Sequence, residues 1–383
     1  MATLALFWIS VTLIGYSQIG YTALIRAWAA RRRRGDEERD ERVPRVSILL
    51  VAHNEAARIE GRIENLLALD YPRDLLEIIV GSDGSTDDTA ARAARYGKAG
   101  VKVLAFHRRR GKTSVLNDLV PRCRGEIVVL ADARQRFEPD AVRALVRRFA
   151  DGTVGAASGE LILTGDTVTT PVGKGVGLYW QFEKSIRLSE SRVDSTVGAT
   201  GAIYAIRRDL FDPIPDDTIL DDVIIPMRIV RLGYRVVFEP SARAYDRPAG
   251  AAREEFVRKV RTIAGNFQMF ARERWMLNPL RNRLWLQTVS HKGLRLLGPL
   301  LLATALLTNV VLAGRPFYDL TLLLQGVFYA SALIGHIERV ARRLPIVAVP
   351  YTLCLLNWAT VVAFLQLLTG RQNVTWDRAA ARS

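Results

Sequence analysis

Three aspartate positions carry the first chemical signal. In VVLADARQRFEPD (residues 128–140) an apolar run ends on Asp132. An acid at the C-terminal end of a strand faces the ligand crevice of an α/β protein. Asp132 there can hold a metal together with a phosphate. Arg134 follows two residues later and has no lone pair to offer a cation. Asp83 closes a second apolar run, LLEIIVGSDGS (75–85). In IPDDTILDDVIIPMRI (214–229) Asp221 and Asp222 precede a stretch whose Val223, Met227 and Val230 fall on one helical face. Carboxylates are favoured at a helix N-terminus, where the pair suits either a general base or an N-cap. Asp216 and Asp217 follow Pro215 and read as loop residues.

These acids need elements that bring them together. VSILLVAHN (46–54), LLEIIVGSDGS (75–85), VKVLAF (101–106) and EIVVLAD (126–132) read as strands. Residues 55–69 read as a helix with Ile59, Ile63, Leu66 and Leu67 on one face. Ser85 or Thr86 is placed to cap a helix that begins DDTAARAAR, and GKTSVLNDLV (111–120) begins another. Alternating strands and helices predict a mostly parallel sheet, with Asn54, Asp83 and Asp132 at the ligand end. No GxGxxG follows the first strand. GKTS at 111–114 lacks the upstream glycine of a P-loop, since Phe106 stands five residues before Gly111.

The chain has 383 residues and a formal charge of +15, yet it is 49% hydrophobic, with mean hydropathy +0.08. The apolar residues cluster. Residues 2–27 contain no charge before Arg26, and 296–314, 318–337 and 344–370 are similarly apolar. Each is of membrane-spanning length. RRRR (31–34), HKGLR (291–295) and ERVARR (338–343) flank them on one side, which the positive-inside rule assigns to the cytoplasm. The first stretch lacks the basic lead of a signal peptide. The expected organisation is a transmembrane helix over 1–29, a cytoplasmic domain over 40–275, an amphipathic interfacial segment over 276–295 and three transmembrane helices over 296–370. These basic flanks account for much of the charge without a nucleic-acid partner and favour anionic membrane lipids. Cys123 and Cys354 form no framework.

Five stretches then resemble one family: VAHNEAARIEGRIENLLALDYPRDLLEIIVGSDGSTDDT (51–89), GKTSVLND (111–118), VLADARQRFEPDA (129–141), GATGAIYAIRRDLF (198–211) and LDDVIIPMRIVRLGYRVVFEP (220–240). Over about 45–270 the chain resembles an inverting family-two glycosyltransferase, with the membrane arrangement of the cellulose, chitin and hyaluronan synthase branch. The resemblance implies an A-type, nucleotide-sugar-binding α/β domain beside transmembrane helices, taking a UDP-sugar or similar donor. His53 and Asn54 would frame the base pocket, Asp83 would contact base or ribose, and Lys112 would help hold the nucleotide. Asp132 would be the first acid of a metal-binding DxD pair, serving Mg2+ or Mn2+. Asp222 resembles the catalytic base, and Asp221 stands where the family often has glutamate.

The family's QxxRW element is altered. Arg258 takes the place of its glutamine, Arg261 of its arginine and Thr262 of its tryptophan. Arg261 would face the donor diphosphate with Arg258 beside it, one turn apart on a helix; solvated interface charge is the plainer reading. Trp275, Trp180 and Gln268 are candidates for the acceptor side. Arg134 either touches phosphate or pairs with Glu138, four residues on. The acceptor that the resemblance implies is a growing polysaccharide or oligosaccharide, or alternatively a polyprenyl or other membrane lipid. A homodimer would widen a four-span channel. An inactive scaffold is the reading from outside the enzyme class.

Overall fold

The computed structural model describes residues 1–32, 43–164, 171–246, 252–337 and 345–370, with side chains placed outside 171–180, 252–255 and 345. By packing the chain forms two units. One is built from Arg32–Thr164 and Glu190–Pro248, the other from Met1–Arg31, Gly165–Ser189 and Ala249–Gln372. The second therefore takes in two segments that the sequence places in the cytoplasmic domain.

The first unit holds an eight-stranded sheet. Its elements are β1 (Val46–Ala52), α3 (Ile59–Leu67), β2 (Leu76–Asp83), α4 (Thr89–Ala94), β3 (Val101–Phe106), α5 (Lys112–Leu119), β4 (Ile127–Asp132), β5 (Arg136–Phe137), α6 (Ala141–Arg147), β6 (Val154–Leu163), β7 (Ile203–Arg207), α8 (Asp221–Arg231) and β8 (Arg235–Asp246); α1 and α2 precede them in the other unit. The strand order is β3-β2-β1-β4-β7-β6-β8-β5. The half β3-β2-β1-β4 is parallel, as the strand-helix alternation predicts. β7 then runs antiparallel to both β4 and β6, and β6 pairs parallel with β8. Ile48, Leu50, Val80 and Val129 face the buried side with Ile59, Ile63 and Leu66 of α3. These β-branched and aliphatic runs are buried because helices cover the parallel strands. Truncating one such side chain to alanine costs about 2–5 kcal/mol.

Parallel pairing in register brings the strand ends level. Ala52 of β1 lies opposite Ser82, and Val51 opposite Asp132. The chain therefore delivers His53, Asp83 and Asp132 to one edge of the sheet. The α4 cap differs from the expectation. Ser85 and Thr86 turn toward Asn54, and Asp87 Oδ1 accepts from the Thr89 backbone N–H at 3.0 Å. An aspartate reaches the first-turn amides better than the two hydroxyls, which the β1 loop has engaged.

The second unit contains three helices long and apolar enough to cross a membrane, among the described residues: Ala2–Arg31, Pro316–Gly335 and Ala348–Leu368. The first is α1 (Ala2–Gly15) and α2 (Tyr21–Arg31) joined by a π-helical turn, Tyr16–Gly20. The expected span at 296–314 is instead a 14-residue helix, α10 (Gly298–Val311), bent by 61° from the segment Trp285–Leu296. Gly298 and Pro299 at the break explain the bend; the pair counts as a fourth span only if taken together. Helices α11 (Pro316–Gly335) and α12 (Ala348–Leu368) overlap the apolar stretches at 318–337 and 344–370. Helix α7 (Pro171–Val193) carries Glu183 into this unit, where it is buried within 2.9 Å of His291 and bonded to Arg295. Within 276–295, the segment expected to be amphipathic and interfacial, Gln287, Thr288, Ser290 and His291 are buried. Helix α9 (Ala252–Arg272) packs Val260 and Ala264 against Ala359 and Ala363 of α12.

Candidate active site

The start of α5 is the node of the first unit. Lys112 Nζ lies 3.1 Å from Asp132 Oδ1 at the end of β4 and 3.1 Å from Asp221 Oδ2 at the start of α8. Burial alone would lower the Lys112 pKa. The carboxylates of Asp132, Asp221 and Asp222 outweigh it and raise the group far above its ordinary range, so the ammonium stays charged. Tyr204 of β7 is buried, with its hydroxyl 3.4 Å from Asp221 Oδ2. Burial, then the charges of Asp221, Asp222 and Asp132, push that phenol well up.

The two aspartates of α8 have different surroundings. Asp221 is buried and engaged by Lys112 and Tyr204. Asp222 is half-buried, and its Oδ2 accepts the backbone N–H of Gly201 at 3.0 Å. The Asp222 carbonyl also accepts from Ala199 N at 2.7 Å. A methyl group on Gly201 would come to 2.8 Å from Asp222 Oδ2, so glycine is what permits the close approach. Val223, Met227 and Val230 are buried, as the helical stripe predicts. The loop leading into α8 is tied to α5, because Asn117 bonds both the carbonyl (2.7 Å) and the amide (3.1 Å) of Ile214. Asp216 and Asp217 are exposed.

The neighbouring strand ends form a second cluster. His53 Nδ1 donates to the Asp83 carbonyl at 2.7 Å. Asn54 has φ 53° and accepts from Thr86 N at 2.8 Å. The carboxylate of Asp83 is buried and accepts from Arg110 N (2.7 Å) and Gly111 N (2.8 Å). It thus fixes the basic turn that presents Lys112. Gly84, at φ +58°, admits that turn, since a Cβ there would fall 2.3 Å from Arg109 N.

Arg134 lies 3.4 Å from Asp246 Oδ2, and Gln135 donates to the same oxygen at 2.9 Å. The pairing with Glu138 is not formed; Glu138 faces Arg243 at 3.6 Å. The short β5 pairs with β8 and turns residues 134 and 135 toward that strand. Among the described residues no group of three or more His, Cys, Asp or Glu side chains is arranged around one point. Asp132 is a partly exposed carboxylate with Asp221 across Lys112 from it, which would leave most ligands of a cation there to phosphate oxygens and water.

Arg258, Arg261 and Gln268 lie on α9, and Trp275 follows it in a short helical turn, all in the unit of the apolar helices. Trp180 falls outside the described side chains. The sequence reading missed Tyr204, Gly201, Asp87 and Arg62, the last buried beneath Asp132. Only Arg62 was signalled, as a charge set between Ile59, Ile63 and Leu66 on the core stripe of α3.

Residues 44–278 match the family model described as glycosyltransferase like family 2, and the chain belongs to that family. It is 27% identical over 237 residues to the β-monoglucosyldiacylglycerol synthase of Nostoc, covering 58% of this chain and 49% of that protein. It is 24% identical over 206 residues to the poly-β-1,6-N-acetyl-D-glucosamine synthase of Staphylococcus aureus, covering 52% and 49%. The chain spans about half the length of these curated relatives. Its fold is similar to that of a mannosyltransferase from Pyrobaculum calidifontis solved in complex with GDP-mannose and Mn2+, with a TM-score of 0.72, 24% identity, and coverage of 96% of this chain and 100% of that one.

Proposed function

We propose that this family-two chain transfers a sugar from a nucleotide diphosphate sugar, with inversion at the anomeric carbon, to a growing oligosaccharide or polysaccharide at the cytoplasmic face of a membrane. The observation that carries the reading is the Lys112 node, which gathers Asp132 and Asp221 around one ammonium with Asp222 adjoining. Negative charge develops on the leaving diphosphate, and fixed cations must meet it. Lys112 and Arg134 supply such charge beside Asp132. A divalent cation, Mg2+ or Mn2+, held by Asp132 and the donor's own phosphates would add Lewis-acid stabilisation. His53, Asn54 and Asp83 bound the nucleoside side, which we assign to uridine.

Asp222 acts as general base. It takes the proton of the acceptor hydroxyl as that oxygen bonds to the anomeric carbon, and the electron pair of the breaking bond leaves on the diphosphate. One base carboxylate suffices, because no sugar is attached to the protein. Asp221, engaged by Lys112, orients the node. The part that the resemblance gives to Arg258 and Arg261 rests on their place in the chain.

A panel of UDP-glucose, UDP-N-acetylglucosamine and GDP-mannose, with and without Mn2+ or Mg2+, tests the reading through nucleoside diphosphate release. Turnover of at least one donor is expected, with a product ladder on a gel. No turnover and no binding of any donor would favour the inactive scaffold. A second reading, transfer of one sugar to a membrane lipid, is supported by the similarity to the Nostoc glycolipid synthase. A single lipid-linked product in place of a ladder selects it.

A further inference from the structure

Arg62 is only 3% exposed. It stands on the inner stripe of α3, where an apolar residue would be expected. Its Nε donates to the carbonyl of Asp132 at 3.2 Å and its Nη1 to Asn65 Oδ1 at 2.8 Å. Its Cζ lies 4.0 Å from the centroid of the Phe137 ring. Among the described residues Nη2 has no hydrogen-bond acceptor. Asn65 bonds the amide (2.8 Å) and the carbonyl (2.9 Å) of Phe137. One helix thus grips both ends of the turn 132–137, which carries Asp132, Arg134 and Gln135.

We propose that Arg62 is a positioning residue for donor binding, whose buried charge supplies fixed positive potential beneath Asp132 and the diphosphate, and that it is kept at a cost to stability. The inference rests on the reading that Asp132 faces the donor diphosphate. Among the described residues no carboxylate bonds this guanidinium, and a buried cation without one is costly compared with an apolar side chain of similar volume. Burial pulls its pKa down to about 9, against the opposing charge of Asp132. Phe137 and Asn65 could be packed without a cation. A dianionic diphosphate arriving at the end of β4 is the group that gains from one.

The test uses the full chain in detergent, with UDP and GDP titrated calorimetrically in the presence of Mn2+, following the nucleotide that the wild type binds more tightly. Arg62→Met keeps the length and removes the charge. It is expected to weaken binding about tenfold while Tm stays level or rises. Arg62→Lys keeps the charge and is expected to bind within about threefold of wild type. Wild-type affinity in Arg62→Met overturns the inference. So does a Tm lowered by about five degrees or more, with Arg62→Lys binding no better. Should Arg62→Met fail to fold, Arg62→Lys decides, with near-wild-type affinity supporting the inference and a tenfold loss overturning it. Asp132→Asn separates the two levels, because wild-type nucleotide affinity in that variant overturns the diphosphate reading itself.

Discussion

The two acidic stations of the site are held in different ways. Asp222 is placed by backbone: its carboxylate accepts the Gly201 amide and its carbonyl accepts the Ala199 amide, at the first turn of α8. Asp132 is placed by side chains, with Lys112 on its carboxylate and Arg62 on its carbonyl. A backbone donor outlasts most changes of its own side chain, whereas a side-chain cation is lost with one substitution. A group that must meet one proton at one position suits the first arrangement. A group that balances spread-out phosphate charge suits the second. On the proposed roles, the difference implies that the base end is intolerant of conservative change and the diphosphate end is graded.

The harshest test is at Asp222. Asp222→Asn removes the proton acceptor, and Asp222→Glu moves it by a methylene away from the Gly201 amide. Both are expected to lower kcat about a thousandfold with nucleotide affinity unchanged, as single-turnover assays and calorimetry would show. Near-wild-type kcat in Asp222→Glu would break the comparison, since a backbone-fixed base has no slack to absorb the longer arm.

Lys112 joins both ends and comes next. Lys112→Met leaves Asp132 and Asp221 without their shared cation and is expected to lower kcat/KM about a hundredfold, with Lys112→Arg recovering part of it. The pH dependence follows from sign. The folded-state pKa is raised above the ordinary 10.5 by the three carboxylates. The stabilisation from this ammonium is therefore complete below pH 10.5 and is lost only as pH rises through the higher folded value. Lys112→Met should lower the pH–rate profile between pH 6 and 9 without altering its shape. A limb that vanishes in the variant would show the lysine titrating in that range.

Much of this division was legible in the chain. The apolar runs ending on Asp83 and Asp132 specified the parallel half of the sheet, and in-register pairing of β1 with β2 and β4 made those ends neighbours. Val223, Met227 and Val230 specified α8 and with it the position of Asp221 and Asp222. Tyr204 was not legible, because a tyrosine in IYAIR reads as one more strand residue until β7 pairs antiparallel with β4 and brings its hydroxyl to Asp221. Asp83 was read for its likeness to a ligand contact, but its two backbone partners lie 27 and 28 residues downstream. The break at Gly298 was visible as Gly-Pro, yet an apolar count over 296–314 ignores it. Local pattern reports elements; bonds between distant loops need the assembled sheet.

Gly201 probes the backbone end more gently. A Cβ at 2.8 Å from Asp222 Oδ2 forces the carboxylate to shift by a few tenths of an ångström. Gly201→Ala is expected to lower kcat roughly tenfold, on the scale of misplaced catalytic groups, while Tm falls by only a few degrees. An unchanged kcat would mean that the Gly201 amide does not set the reacting position of Asp222.

Arg134 should give the smallest effect, and its direction is the most informative about the graded end. It pairs with Asp246, which Gln135 also bonds, so its loss leaves Asp246 a partner. The Arg134 side chain is 23% exposed and that of Asp246 11% in a pair 3.4 Å apart, and Gln135 keeps Asp246 bonded when the arginine is lost. Arg134→Ala is therefore expected to change donor KM no more than about threefold. Arg134→Asp is different in kind, because it sets a new carboxylate two residues from Asp132 and near Asp246, in a turn already gripped by α3. That variant should lower the Mn2+ concentration giving half-maximal rate, while raising donor KM when metal is withheld. If both variants behave alike across a Mn2+ titration, residue 134 points away from the cation. Of the three cations argued for at Asp132, Lys112 and Arg62 then remain.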